Sequence, residues 1–168
     1  MRYLFLIILF ASCQSVTNWE FGPFEKAVDA NPILTPSSDY SFLDPISLET
    51  RYFEEKNVLN PSAVVKDGLV HLIYRAQDSL MTSRLALATS SDGIHFEKAA
   101  TPLLFPDNDE QYDFEWPGGI EDPRVVGLEE GGYYLTYTAY DGKTARLFAA
   151  ISPDLIHWEK LGSVFENL

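Results

Sequence analysis

The chain has 168 residues, 46% hydrophobic and 14% aromatic, which is enough for one domain with a real core and too apolar for a disordered chain. Its net charge of −13, from 25 acidic against 12 basic residues, argues against nucleic acid as a partner, because neutralising phosphates needs a basic face. The same charge suits a soluble, self-repelling surface and a neutral or cationic ligand.

Met1-Arg2 is a short basic region, and YLFLIILF (Tyr3 to Phe10) is an apolar stretch of signal-peptide length, well short of the roughly 20 residues of a spanning helix. Ala11-Ser12 then precede Cys13, the only cysteine. LFASC resembles a relaxed bacterial lipobox, in which that cysteine becomes the lipidated first residue; the alternative is an ordinary residue of a discarded signal peptide. Residues 1–13 are read as a signal peptide with a lipidation site at Cys13. The protein is then exported to the cell envelope and meets the membrane only through a lipid anchor.

Residues 14–56 read as a loop-rich segment, since NPILTPSSD (Asn31 to Asp39) carries two prolines and no helical period lasts beyond a turn. From Asn57 the pattern changes. SAVVKDG, LVHLIYRA, SRLALATSSDG, GGYYLTYTAY and ARLFAAIS are short β-branched or aromatic runs parted by Asp-Gly and Gly-Gly turns, which predicts an all-β fold over residues 57–168. ALATSSDGIHFEK (Ala86 to Lys98) aligns without gaps on FAAISPDLIHWEK (Phe148 to Lys160), 62 residues later. VVKDGLVHLIYRA (Val64 to Ala76) aligns on VVGLEEGGYYLTYTA (Val125 to Ala139) with a two-residue insertion at the turn. Each unit reads as four strands, one blade of a β-propeller, and blades need neighbours to bury their faces. Propellers have about 4 to 8 blades, so blades of ~60 residues require roughly 240 residues to close. The chain holds about two blades, an incomplete portion of such a ring.

The repeat also tests individual residues. His95 and His157 stand at equivalent positions, as do Asp92 and Asp154, which makes the histidines structural residues rather than catalysts and the aspartates turn-stabilising groups. No His, Cys or acidic pair has metal-ligand spacing, and neither a phosphate-binding Gly-rich loop nor a G-x-S-x-G elbow is present, so no metal or cofactor is expected. EWPGGIEDPR (Glu115 to Arg124) breaks the repeat and is expected just before the first strand of the second unit. Asn60-Pro61 stands 62 residues before Asp122-Pro123. Proline biases its predecessor to an extended conformation, so each unit is expected to present a polar side chain at its mouth on stiff backbone. Arg75 ends the YRA strand facing this region. Asp122, crowded by Glu121 and near guanidinium groups, has the setting of a general acid; alternatively Glu121, Asp122 and Arg124 form a turn-stabilising ion pair.

Together LNPSAVV, LIYRA, TSRLALATSSDGIHF, EWPGGIEDPR and YYLTYTAYDGKTARLFAAISPDLIHW resemble glycoside hydrolase family 130, the mannoside phosphorylases and related mannosidases, over roughly Asn57 to Leu161. The resemblance implies a five-bladed propeller and an enzyme that cleaves β-mannosidic bonds of a mannose-containing oligosaccharide with inversion. It makes Asp122 the catalytic acid, acting through a hydroxyl of the mannosyl unit, and puts Asn60 and Arg75 around the sugar in the −1 subsite. Arg124 is implied as an orienting or sugar-contacting group, Glu121 as a group behind the acid, and Tyr140 and Asp141 as substrate-binding residues of the rim. The paired glycines are expected to let the backbone approach the sugar. Inversion needs a second partner on the opposite face of the ring, either inorganic phosphate as co-substrate or water activated by a carboxylate, and the residues for it would lie beyond Leu168. An exported lipoprotein fits hydrolysis better than phosphorolysis, whose sugar phosphate is best kept inside a cell. A carbohydrate-binding propeller without turnover, or a structural blade pair, are the competing readings.

Overall fold

The computed structural model of the chain describes residue 23 and residues 25–165. The signal segment and Cys13 lie outside the described residues. The described chain is all-β apart from one short helix. Two short strands, β1 (Phe42–Leu43) and β2 (Thr50–Arg51), form a hairpin of their own. A first four-stranded unit follows, β3 (Asn57–Lys66), β4 (Leu69–Gln77), β5 (Ser83–Ser90) and β6 (Glu97–Lys98). After a long connection and the helix α1 (Tyr112–Glu115) comes a second, β7 (Gly119–Gly127), β8 (Tyr133–Tyr140), β9 (Ala145–Ser152) and β10 (Glu159–Ser163). Within each unit successive strands pair antiparallel, as the repeat predicts. The strand ladders of the two units meet in one pairing, a parallel one of Ser83 in β5 with Gly119 in β7.

The turns form where the sequence marks them. Asp67-Gly68 joins β3 to β4 with both residues at positive φ (51° and 78°), the backbone of a tight hairpin whose twist matches its strands. Before β6, Asp92 Oδ1 accepts from the main-chain N–H of Ile94 and His95 (both 2.8 Å), and Oδ2 lies 2.7 Å from His95 Nδ1. Asp154 repeats the same bonds at the same lengths with Ile156 and His157 before β10. Both histidines are thus exposed turn braces, in keeping with their duplication.

The core lies chiefly between the units. Ile73, Leu85 and Leu87 of the first unit cluster with Leu135, Tyr137, Phe148 and Ala150 of the second. A smaller cluster of Phe53, Tyr74, Ala76, Ala86 and Ala88 fills the other side of the first unit, closed by Leu34, Tyr40, Phe42, Val58 and Phe96. The first unit is therefore covered on both faces. The second has one open face: Leu85 is wholly buried, but Leu147 at the repeat-equivalent position is 40% exposed. Val164 N–H donates to Leu147 O (3.0 Å) as Leu103 N–H donates to Leu85 O (2.7 Å), so the chain after β10 sets out on the same path as the chain leaving the first unit.

Each unit also contains a buried Glu–Tyr–Lys triad. Glu54 accepts from Tyr74 Oη (2.7 Å) and Lys98 Nζ (2.6 Å), and Glu115 accepts from Tyr137 Oη (2.8 Å) and Lys160 Nζ (2.6 Å). The triads tie the segment before the first strand to the second and fourth strands. Burial pushes the Glu115 carboxyl up to about 7, outweighing Lys160 and Tyr137, which favour the ionised form, while Asp109 adds to the rise. A carboxyl raised on folding binds more protons in the native than in the unfolded state between its ordinary value and about 7. Its stabilising share is therefore complete at low pH and lost as pH rises through that window. We expect the urea midpoint to fall from pH 5 to pH 7.5, by on the order of 1–3 kcal/mol in stability, and Glu115→Gln to flatten that slope. An unchanged slope in the variant would refute this assignment.

Candidate active site

The EDPR element does not stand before the second unit, as expected, but inside its first strand. Pairing of β7 with β8 shifts register between Glu121 and Arg124, and pairing of β3 with β4 shifts between Leu59 and Ser62. Both shifts are bulges, which bend a strand and re-aim its side chains. Asn60 and Asp122 occupy the bulges at φ 45° and 51°, not in the extended conformation expected of a residue before proline. These bulges set one residue in the left-handed region, and Asn and Asp are among the side-chain-bearing residues that reach it most readily. The following proline has no N–H to lose from the broken ladder.

The two bulges lie side by side. Asn60 Nδ2 donates to Asp122 Oδ1 (2.7 Å), and Val125 N–H donates to Ser62 Oγ (3.1 Å). Arg75, from β4, places Nη2 2.5 Å from Glu121 Oε1 and Nη1 3.3 Å from Asp122 Oδ1. Asp122 Oδ1 is thus held by two donors, and among the described residues no hydrogen bond reaches Oδ2. Asp122 is the open member of the pair, at 39% side-chain exposure against 14% for Glu121. Burial raises the Glu121 carboxyl above the usual carboxylate range; the Arg75 charge and the Ser83 hydroxyl pull it down, and the neighbouring Asp122 adds to the rise.

The two glycines are required for close approach, but the space they free is filled by protein. A Cβ on Gly119 (φ 109°) would collide with the Ser83 main chain, and one on Gly118 with the Tyr140 ring. The Gly-Gly turn therefore presses the motif onto β5 and β8, which corrects its assignment to sugar contact. This is how the motif strand is brought within reach of Arg75.

The structure thus gathers Asn60, Arg75, Glu121 and Asp122 into one cluster, with the Tyr140 ring behind Gly118. Arg124 is exposed and turns back on its own strand, Nη1 donating to Pro123 O (2.7 Å). Asp141 is held in the turn after β8: Oδ1 accepts from Lys143 and Thr144 N–H (2.7 Å each) and Oδ2 from Arg146 Nη1 (2.8 Å). The Arg146 hydrogen bond, followed by those N–H groups, lowers its carboxyl to about 2. Asp78 holds Arg84 in the same way after β4, through Leu80 and Thr82 N–H (3.0 Å each) and Arg84 Nη1 (2.9 Å). The shared pattern, an aspartate followed by threonine and then by arginine two positions after the threonine, was available in the sequence as a sign that Asp141 belongs to the repeat. Sequence reasoning also missed two buried polar residues, Ser83 on β5, which meets Arg75 and Glu121, and Gln77 on β4, which donates to Ser83.

Comparison with known proteins identifies the family. Residues 25–168 match the profile of glycoside hydrolase family 130, described as beta-1,4-mannooligosaccharide phosphorylase, and the chain belongs to that family. It is 31% identical over 152 residues to the 1,2-beta-oligomannan phosphorylase of Thermoanaerobacter sp. (strain X514), covering 84% of this chain and 46% of that protein. A solved structure from the GH130 family of mannoside phosphorylases, described as containing glycoside hydrolases that target beta-1,2 mannosidic linkages in Candida mannan, superposes with a TM-score of 0.86. It is 42% identical, over 89% of this chain and 44% of that one. A glycosyl hydrolase from Bacteroides ovatus superposes with a TM-score of 0.85 at 38% identity, over 89% of this chain and 43% of that one. The chain spans about half the length of the curated relatives it matches.

Proposed function

We propose that this chain carries the acid half of an inverting enzyme that cleaves β-mannosidic bonds, with Asp122 as the general acid. The observation that carries the reading is the Asp122 carboxyl, set on a bulge with Oδ1 fixed by Asn60 and Arg75 and Oδ2 left free. In the proposed reaction the proton on Oδ2 travels, through a hydroxyl of the bound mannosyl unit, to the glycosidic oxygen as its bond to C1 breaks. An oxygen of phosphate, or of water that gives its proton to a carboxylate base, bonds to C1 from the opposite face, inverting it. Asn60 and Arg75, whose polar ends already surround the acid, would orient the sugar. Glu121 would keep the Arg75 guanidinium in place.

The two four-stranded units are proposed as neighbouring blades of a five-bladed propeller. The open face around Leu147 and the path begun at Val164 support a third unit beyond β10, where the phosphate- or water-binding residues would stand. The proposed location is the cell envelope, through Cys13, so the native protein should sediment with membranes. The test of function is to incubate the native protein with β-1,2- and β-1,4-mannobiose, with and without phosphate, and separate the products. A mannose phosphate formed only with phosphate identifies a phosphorylase, and mannose formed without it a hydrolase. No product from any mannoside, with the protein folded, would overturn the enzyme reading.

A further inference from the structure

We propose that Ser83 is a positioning residue for this site: its hydroxyl, backed by Gln77 and Asn57, fixes the Arg75–Glu121 pair against Asp122. This rests on the reading of Asp122 as the acid. Ser83 Oγ makes three bonds of 3.0 Å, to Arg75 Nε, Gln77 Nε2 and Glu121 Oε1. The first two partners can only donate, so both hydroxyl lone pairs are filled and its single proton is directed at Glu121. Arg75 is thereby gripped at Nε by Ser83 and at Nη2 by Glu121, which leaves Nη1 as the group turned to Asp122. The Gln77 amide is oriented in turn by Asn57 Nδ2, which donates to its Oε1 (2.9 Å). The main chain of Ser83 also holds the motif, since its N–H donates to Gly118 O (2.9 Å) and it pairs with Gly119.

The repeat separates this network from scaffold. The Glu–Tyr–Lys triads, the Asp–Arg turn pairs and the Asp–His turns all occur in both units. By strand register, Arg75, Gln77 and Ser83 correspond to Thr138, Tyr140 and Ala145 in the second unit, and Asn57 corresponds to Gly119. None of the four polar side chains is kept. A hydrogen-bond chain needed only to build a four-stranded unit would be present twice, as the others are; this one occurs where it meets Glu121 and Asp122.

The experiment compares the native protein with Ser83→Ala in two readouts. Carbon-13 carboxyl NMR follows the titration of Glu121, and mannoside turnover gives kcat, KM and the pH–rate profile. Loss of the hydroxyl should move the Glu121 midpoint upward, because a donor to the ionised carboxylate is gone. It should lower kcat by about tenfold or more with KM within about threefold, and shift the pH–rate profile. Asn57→Ala, at the half-buried end of the chain of bonds, should act in the same direction more weakly, and it decides the matter if Ser83→Ala does not fold. An unmoved Glu121 titration with an unshifted profile, any rate loss merely tracking lost folded protein, would overturn the proposal. A native protein that turns over no mannoside would instead overturn the acid assignment, and the Glu121 titration would still decide whether Ser83 positions the pair.

Discussion

Replacing Asp122 by Asn is expected to lower mannoside turnover by about 10²–10⁴-fold while leaving the fold and sugar affinity near those of the native protein. The amide keeps an oxygen to accept from Asn60 and Arg75, which now hold Oδ1 at 2.7 and 3.3 Å, but it has no acidic proton to give. The backbone should not object, because the repeat supplies its own control: Asn already occupies the equivalent bulge at Asn60, at φ 45° against 51° for Asp122. Strain and packing are thus held constant as the proton donor is removed. The measurement is kcat and KM on the mannoside the native protein cleaves, with a melting curve beside it. Turnover within a few-fold of native would remove Asp122 from the acid role. An unchanged affinity in a protein that never turned over would favour a carbohydrate-binding propeller.

The fold was legible because its signals are local. Asp-Gly and Gly-Gly turns and short apolar runs lie within windows of a dozen residues, and the match of such windows 62 residues apart arranges them as the eight strands of the two units in order. The bulges were not legible, because the strongest local rule at Asn60 and Asp122, the effect of the following proline, points to extended backbone. There the requirement of the broken ladder between adjoining strands prevailed, and it shows only once β3 is paired with β4 and β7 with β8. Glu54 and Glu115 escaped notice although a Phe-Glu pair precedes each unit at 53–54 and 114–115. Their partners are 20 to 45 residues away in the chain, beyond any turn or strand pattern. Within the candidate site, Asp122 and Arg75, which the structure brings together, were singled out because their residue types stand out. Ser83 and Gln77 were not, because a serine and a glutamine at strand ends look like ordinary solvated residues until burial shows otherwise.

The largest stability effect is expected at Arg84, the residue after Ser83 on β5. Its guanidinium is 1% exposed and lies between two carboxylates that are each 2% exposed, Asp44 Oδ2 at 2.7 Å and Asp78 Oδ2 at 2.9 Å. Asp44 belongs to the segment before the repeat, so this ion triad, with Phe42 stacked 5.0 Å from the guanidinium, clamps β1 and β2 onto β5. Arg84→Met fills similar volume but strands two buried carboxylates without a cation. Breaking a buried pair by removing one member costs about 3–5 kcal/mol, because the charge left behind keeps its desolvation penalty. For a chain of this size that corresponds to a fall of roughly 10 °C in melting temperature. The repeat again supplies the control. Arg146 holds one carboxylate, Asp141, at 2.8 Å and is 24% exposed, so Arg146→Met should cost about 1 kcal/mol or less. If the two substitutions prove equally mild, the clamp at Arg84 is not what fastens the N-terminal segment. If Arg84→Met alone is severe and adding Asp44→Asn and Asp78→Asn restores part of the loss, the penalty lies in the orphaned carboxylates rather than in lost packing.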